Sequence, residues 1–130
     1  MLGLCLTEKI GVLPWSPLAR GRLARAWESD PSTERCKTDR YARSLYDGTQ
    51  EADKKVVDRL GEMSEVRHTP RAQIALAWLL HKPAVTAPII GATKLHHLDD
   101  AVAALSVKLS DVEIKALEAP YVTHAIAGFA

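Results

Sequence analysis

VLPWSPLARG, residues 12–21, decides how this chain is read. Val12 and Leu13 have the look of a short buried strand. Pro14 and Pro17 then bracket an indole and a hydroxyl before the chain turns at Arg20–Gly21. A strand that only had to stop needs no large ring at its end. The spacing predicts a strand from Val12 to Trp15 whose carboxyl end carries chemistry. A second stretch of the same kind is APIIGATKLHHLDD, residues 87–100. There VTAPII, 85–90, is the strand and Gly91 opens the turn.

Outward from these two stretches the chain reads as helices. Leu2, Leu4 and Leu6 belong to the end of a helix, with Gly11 in the position after its C-cap. Residues 19–48 are polar with no sustained period, and a loop of that length is expected to be a functional lid or a mobile segment. Glu51 to Arg67 is amphipathic, with Val56, Leu60 and Met63 on one stripe and Val57 beside it. Thr69 and Pro70 read as N-cap and first helical residue of RAQIALAWLLHK, 71–82. That helix is apolar most of the way round, so it must be covered on more than one side. Pro83 stops it. Thr93 reads as the N-cap of a helix carrying Leu95, Leu98, Val102 and Leu105, and Ser110 with Glu113 forms a capping box for the next. APYVTHAIAGFA, 119–130, is a tail.

Strands that alternate with helices pair in parallel through right-handed crossovers. Two parallel strands leave their edges and faces uncovered, so the fold class is α/β and the chain reads as the end of a larger protein. The 130 residues, 47% apolar and 25% charged, have the composition of an ordinary globular protein. With 17 basic and 16 acidic residues well mixed, neither nucleic acid nor an anionic membrane is implied. Residues 51–66 and 70–82 have helix-turn-helix spacing, but the apolar second helix argues against DNA binding. No apolar run is long enough to span a bilayer, and MLGLCLTEKIG lacks the features of a signal peptide. Cys5 and Cys36 are therefore expected to be reduced thiols in the cytoplasm, and the chain has no asparagine to glycosylate.

In parallel α/β proteins ligands bind at the carboxyl ends of strands, where both unusual turns sit. Trp15 offers a flat face for stacking a heteroaromatic ring, and the Ser16 hydroxyl with the following N–H groups suits a phosphate. Gly91, Thr93 and Lys94 lie at a helix start, a place for an anion. Together they fit a long phosphate-bearing ligand with a ring at one end, a nicotinamide dinucleotide. His96 and His97 point to different sides of a helix with no third ligand near, so no metal centre is expected.

These residues resemble a known family. GVLPWSPLARGRLAR (11–25) and APIIGATKLHHLDDAVAAL (87–105) are similar to the seventh and eighth strand-and-turn segments of the aldo-keto reductases, NADPH-dependent (β/α)8 barrels. TPRAQIALAWLLHKP (69–83) and PYVTHAIAGF (120–129) continue the likeness. It implies the C-terminal part of such a barrel, incomplete, with two parallel strands and about five helices. Residues 1–10 would end a helix, 11–50 hold strand seven and the cofactor loop, and 51–82 form two helices. Strand eight would be 83–93, two helices 94–119, and the tail 120–130. The resemblance makes Trp15 the partner of the nicotinamide and lines the pyrophosphate with Ser16, Pro17, Leu18, Ala19 and Arg20. Gly91, Thr93 and His97, with Lys94 adjacent, would hold the adenosine 2′-phosphate and ribose of NADP(H), and Asp100 the adenine amino group. Arg35 also falls near the 2′-phosphate. Ala101 and His97 depart from the family, which often has Asn and Arg or Gln there.

The family's Asp, Tyr, Lys and His tetrad belongs to earlier strands. Tyr41, Tyr46 and Tyr121 have no Lys or His placed to support them, so no residue is assigned a catalytic role. The resemblance thus implies an oxidoreductase reducing aldehydes or ketones, here a truncated part predicted inactive alone. The second reading is a non-catalytic NADP-binding module that self-associates or complements the rest of a barrel.

Overall fold

The two strand candidates run side by side in the computed structural model, which describes residues 1–27 and 48–123. Arg35, Cys36, Tyr41 and Tyr46 lie outside the described residues. Val12 bridges Val85 and Trp15 bridges Ile89, both in parallel. Three backbone bonds join the segments. Val12 N–H donates to the Ala84 carbonyl at 3.1 Å, Thr86 N–H to Val12 at 2.9 Å, and Ile89 N–H to Pro14 at 2.9 Å.

The direction is as expected, but the extent is not. These are isolated bridges, not the two strands read from the sequence. Pro14 and Pro88 have no N–H to give a ladder, and the offset between partners grows by one residue from the first bridge to the second. Gly11 leaves room for Thr86: a Cβ there would lie 2.4 Å from Thr86 Oγ1, so Thr86 would have to rotate or the segments part.

Five α-helices accompany this pair among the described residues: α1 (Leu2–Thr7), α2 (Gln50–Arg67), α3 (Arg71–His81), α4 (Leu95–Ala103) and α5 (Asp111–Glu118). A 3₁₀ segment, Ala19–Ala24, follows Trp15. The terminus of α1 differs from the sequence reading. Lys9 takes the left-handed position at φ 55°, with Ile10 N–H on the Cys5 carbonyl and Lys9 N–H on Leu6, so Gly11 is not the residue that ends the helix. Thr69 does not cap α3 either. Its hydroxyl donates to the Arg67 carbonyl, closing α2, and Pro70 stands at the N-cap. The capping box of α5 forms as read: Ser110 Oγ accepts from Glu113 N–H and the Glu113 carboxylate accepts from Ser110 N–H.

α3 is the centre of the molecule. Ile74, Ala75, Leu76 and Ala77 are buried in succession, as a helix apolar most of the way round demands. Leu60, Ile74, Ala75 and Leu117 form the core, with Leu18, Leu23, Met63, Trp78 and Leu109 packed on it. Each Leu or Ile so buried is worth about 1.5–3 kcal/mol.

Polar clamps tie the helices together. Trp78 Nε1 donates to Glu118 at 2.9 Å, the Lys82 ammonium donates to the same carboxylate, and Lys82 Nζ lies 4.5 Å from the Trp78 ring centroid. Arg67 bonds Glu113 and, at 3.1 Å, the Lys108 carbonyl.

The other side of the paired segments is uncovered. Leu2, Leu4, Leu6, Ile10, Leu13, Ile89 and Ile90 are exposed. So is the stripe of α4 and the turn after it, where Leu98, Val102 and Leu105 line an apolar groove with Leu76 and Ile90. Among the described residues no helix is long and apolar enough to cross a membrane.

Candidate functional site

Parallel pairing sends both segments out of the fold at the same end. The loop after Trp15 and the turn after Ile89 therefore leave from one edge, although 73 residues separate Val12 from its partner Val85. This edge is where the sequence placed its candidate residues.

The first loop is held in an uncommon conformation. Ser16, Ala19 and Arg20 have φ of 54°, 47° and 56°, and Gly21 has 92°. For a residue with a Cβ the left-handed region costs on the order of 1–2 kcal/mol, and such strain persists only where the surroundings enforce it. The enforcement is visible. Ala19 N–H donates to the Ser16 carbonyl at 2.9 Å, Gly21 N–H to Leu18 at 2.9 Å, and Leu18 and Leu23 reach down onto the core. Gly21 takes its φ at no steric cost, but Ala19 and Arg20 do not.

Trp15 is 61% exposed, the opposite of a core tryptophan. The Arg20 guanidinium lies 5.3 Å from its ring centroid, so the loop folds back over the indole. Ser16, Pro17, Leu18, Ala19 and Arg20 are all half-buried.

At the second turn every residue from Gly91 to Asp99 is exposed. A Cβ at Gly91 would meet nothing within 4 Å, and its backbone is not left-handed, so neither packing nor conformation demands a glycine here. Lys94, not Thr93, is the N-cap of α4, and no side chain caps this helix start. Thr93 Oγ1 instead lies 3.5 Å from His97 Nδ1, one turn on. Exposed N–H groups, a hydroxyl and an ammonium thus share one helix start, an arrangement that favours an anion.

Asp100 is placed differently. It is half-buried, and its Oδ1 accepts from Gln73 Nε2 at 2.8 Å, which binds α4 to α3. His96 and His97 meet edge to face at 4.5 Å. Among the described residues no three His, Cys, Asp or Glu side chains come together.

Sequence reasoning missed Gln73 and Arg71, whose partners lie 27 and up to 46 residues away. Nothing local signals either contact.

A sequence profile of the Aldo/keto reductase family matches residues 1–121. The chain belongs to the aldo/keto reductase family. It is 42% identical over 127 residues to the versiconal hemiacetal acetate reductase of Aspergillus parasiticus, covering 97% of this chain and 36% of that protein. It is 41% identical over 128 residues to a Schizosaccharomyces pombe protein named provisionally as an aryl-alcohol dehydrogenase, covering 98% of this chain and 35% of that one. A crystal structure of the thermostable aldo-keto reductase Tm1743 with the inhibitor epalrestat superposes at a TM-score of 0.61 with 27% identity, covering 92% of this chain and 32% of that chain.

The chain spans about a third of the length of the aldo/keto reductases it matches. The likeness to a solved member indicates a (β/α)8 barrel family.

Proposed function

We propose that these 130 residues carry the NADP(H) cradle of an aldo-keto reductase that reduces aldehydes or ketones to alcohols. One observation supports the reading most: the parallel register of Trp15 with Ile89, which brings the strained loop and the α4 start to one edge. In this reading Trp15 stacks on the nicotinamide. Arg20 covers one face of the indole, so the ring takes the other. Ser16 to Arg20 line the pyrophosphate. Gly91, Thr93, Lys94 and His97 receive the ribose and 2′-phosphate, and Asp100, held by Gln73, faces the adenine.

The residues fit such a group: an exposed aromatic, a cation beside it, a helix start with no side-chain cap and open space at Gly91. Bound there, the nicotinamide supplies hydride for carbonyl reduction. This chain's residues bind and orient it. The proton donor comes from the family tetrad on other strands, so the 130 residues alone give no turnover. The exposed apolar edge, Leu2 to Leu13 with Ile89 and Ile90, is the surface that the rest of a barrel covers, whether from the same polypeptide or another.

The test is titration of the 130-residue chain with NADPH, followed by tryptophan emission. Saturable quenching that Trp15→Ala abolishes supports the reading. Absence of quenching at millimolar NADPH contradicts it. NADPH oxidation with 4-nitrobenzaldehyde above a protein-free blank contradicts the assignment of the proton donor elsewhere.

A further inference from the structure

The loop that follows Trp15 is strained at Ser16, Ala19 and Arg20, and its far end has to be fixed for that strain to hold. One group that reaches that end is Arg71, the first residue of α3. Its Nη1 donates to the Arg25 carbonyl, just past the 3₁₀ segment, at 3.3 Å. The same nitrogen donates at 3.2 Å to the Val57 carbonyl on α2. One guanidinium therefore joins the loop end to two helices.

Space for it exists because of a glycine. Gly61, one turn beyond Val57, is buried within α2. A Cβ there would lie 2.3 Å from Arg71 Nη2, 2.6 Å from Cζ and 2.9 Å from Nη1. A glycine in the middle of an 18-residue helix is unfavourable for that helix, so its presence calls for a local reason. The guanidinium lying in its notch is that reason.

From this geometry we infer that Arg71, seated against Gly61, is a positioning residue: it anchors the end of the 16–25 loop and thereby sets the affinity of the dinucleotide site. The inference rests on the cofactor reading given above. Arg71 need not touch the cofactor; it acts through the loop.

Two variants test it on the 130-residue chain. Arg71→Met removes the donor. Gly61→Ala leaves Arg71 in place and expels its guanidinium, while improving the intrinsic helix propensity of α2. Amide hydrogen exchange is read over 16–25 and over 71–81, and NADPH affinity by titration. In both variants exchange over 16–25 rises at least fivefold, exchange over 71–81 is unchanged, and the NADPH Kd weakens at least fivefold.

Unchanged exchange over 16–25 in both variants overturns the anchor. Faster loop exchange with an unchanged Kd overturns its role in affinity. If the unsubstituted chain binds no NADPH, the cofactor reading fails, and the affinity role falls with it. The exchange result still decides the anchor separately.

Discussion

Trp15 bridges Ile89 in parallel, and that one pairing makes two distant turns neighbours at a single edge. The exposed indole, the strained loop beyond it and the start of α4 owe their common location to it.

Gly91→Ala separates binding from folding. Since a Cβ there meets nothing within 4 Å, stability is expected to change by less than about 0.5 kcal/mol, as at ordinary surface sites. NADPH affinity is expected to fall several-fold, because the methyl group occupies space the ligand would use. Thermal melts paired with an NADPH titration measure both.

Gly11→Ala acts on the pairing itself. Its Cβ would lie 2.4 Å from Thr86 Oγ1, so the segments must part or Thr86 must rotate. A loss of about 1–3 kcal/mol is expected, the range for overpacking. The double variant Gly11→Ala with Thr86→Ala is expected to recover part of it in urea melts.

Ile74 has no exposed surface, so Ile74→Ala is expected to cost about 2–5 kcal/mol. Val66, 81% exposed on α2, is the control: Val66→Ala is expected to stay within about 0.5 kcal/mol. Denaturant unfolding of the two variants side by side checks the placement of the core.

Acid should loosen α5. The Ser110 N–H, then the Arg67 guanidinium and the Ser110 hydroxyl, lower the Glu113 carboxyl from 4.5 to about 2. Glu118 is also lowered, by Lys82 first and then by Trp78. A depressed folded value means that folding favours the charged form. Glu113's contribution is therefore complete above about pH 4.5 and is lost as pH falls toward 2. Melting temperature followed between pH 6 and 2 should fall less steeply in Glu113→Gln, which starts lower and has less to lose. Ser110→Ala at neutral pH is expected to cost about 1 kcal/mol.

How much of this could be read from the residues depended on how far each interaction reaches. The Ser110–Glu113 box lies within one turn, and four consecutive buried residues in α3 follow from a helix apolar most of the way round. The parallel direction of the two segments followed from helices lying between them. The helix ends were less legible. Thr69–Pro70 looks like a cap, but the threonine is used to finish α2, and Lys9 takes a left-handed position that composition assigns to glycine. The strands shrank to bridges because prolines 14 and 88 withhold donors. Gln73 on Asp100 and Arg71 on the Arg25 carbonyl were invisible, since each joins groups that only the folded chain brings together.

Hydrogen-exchange footprinting of the 130-residue chain, with and without saturating NADPH, is the most direct measurement of whether one ligand spans both turns. Simultaneous protection of residues 15–21 and 91–97 is the predicted result. Protection confined to one of them, or found in neither, would contradict it.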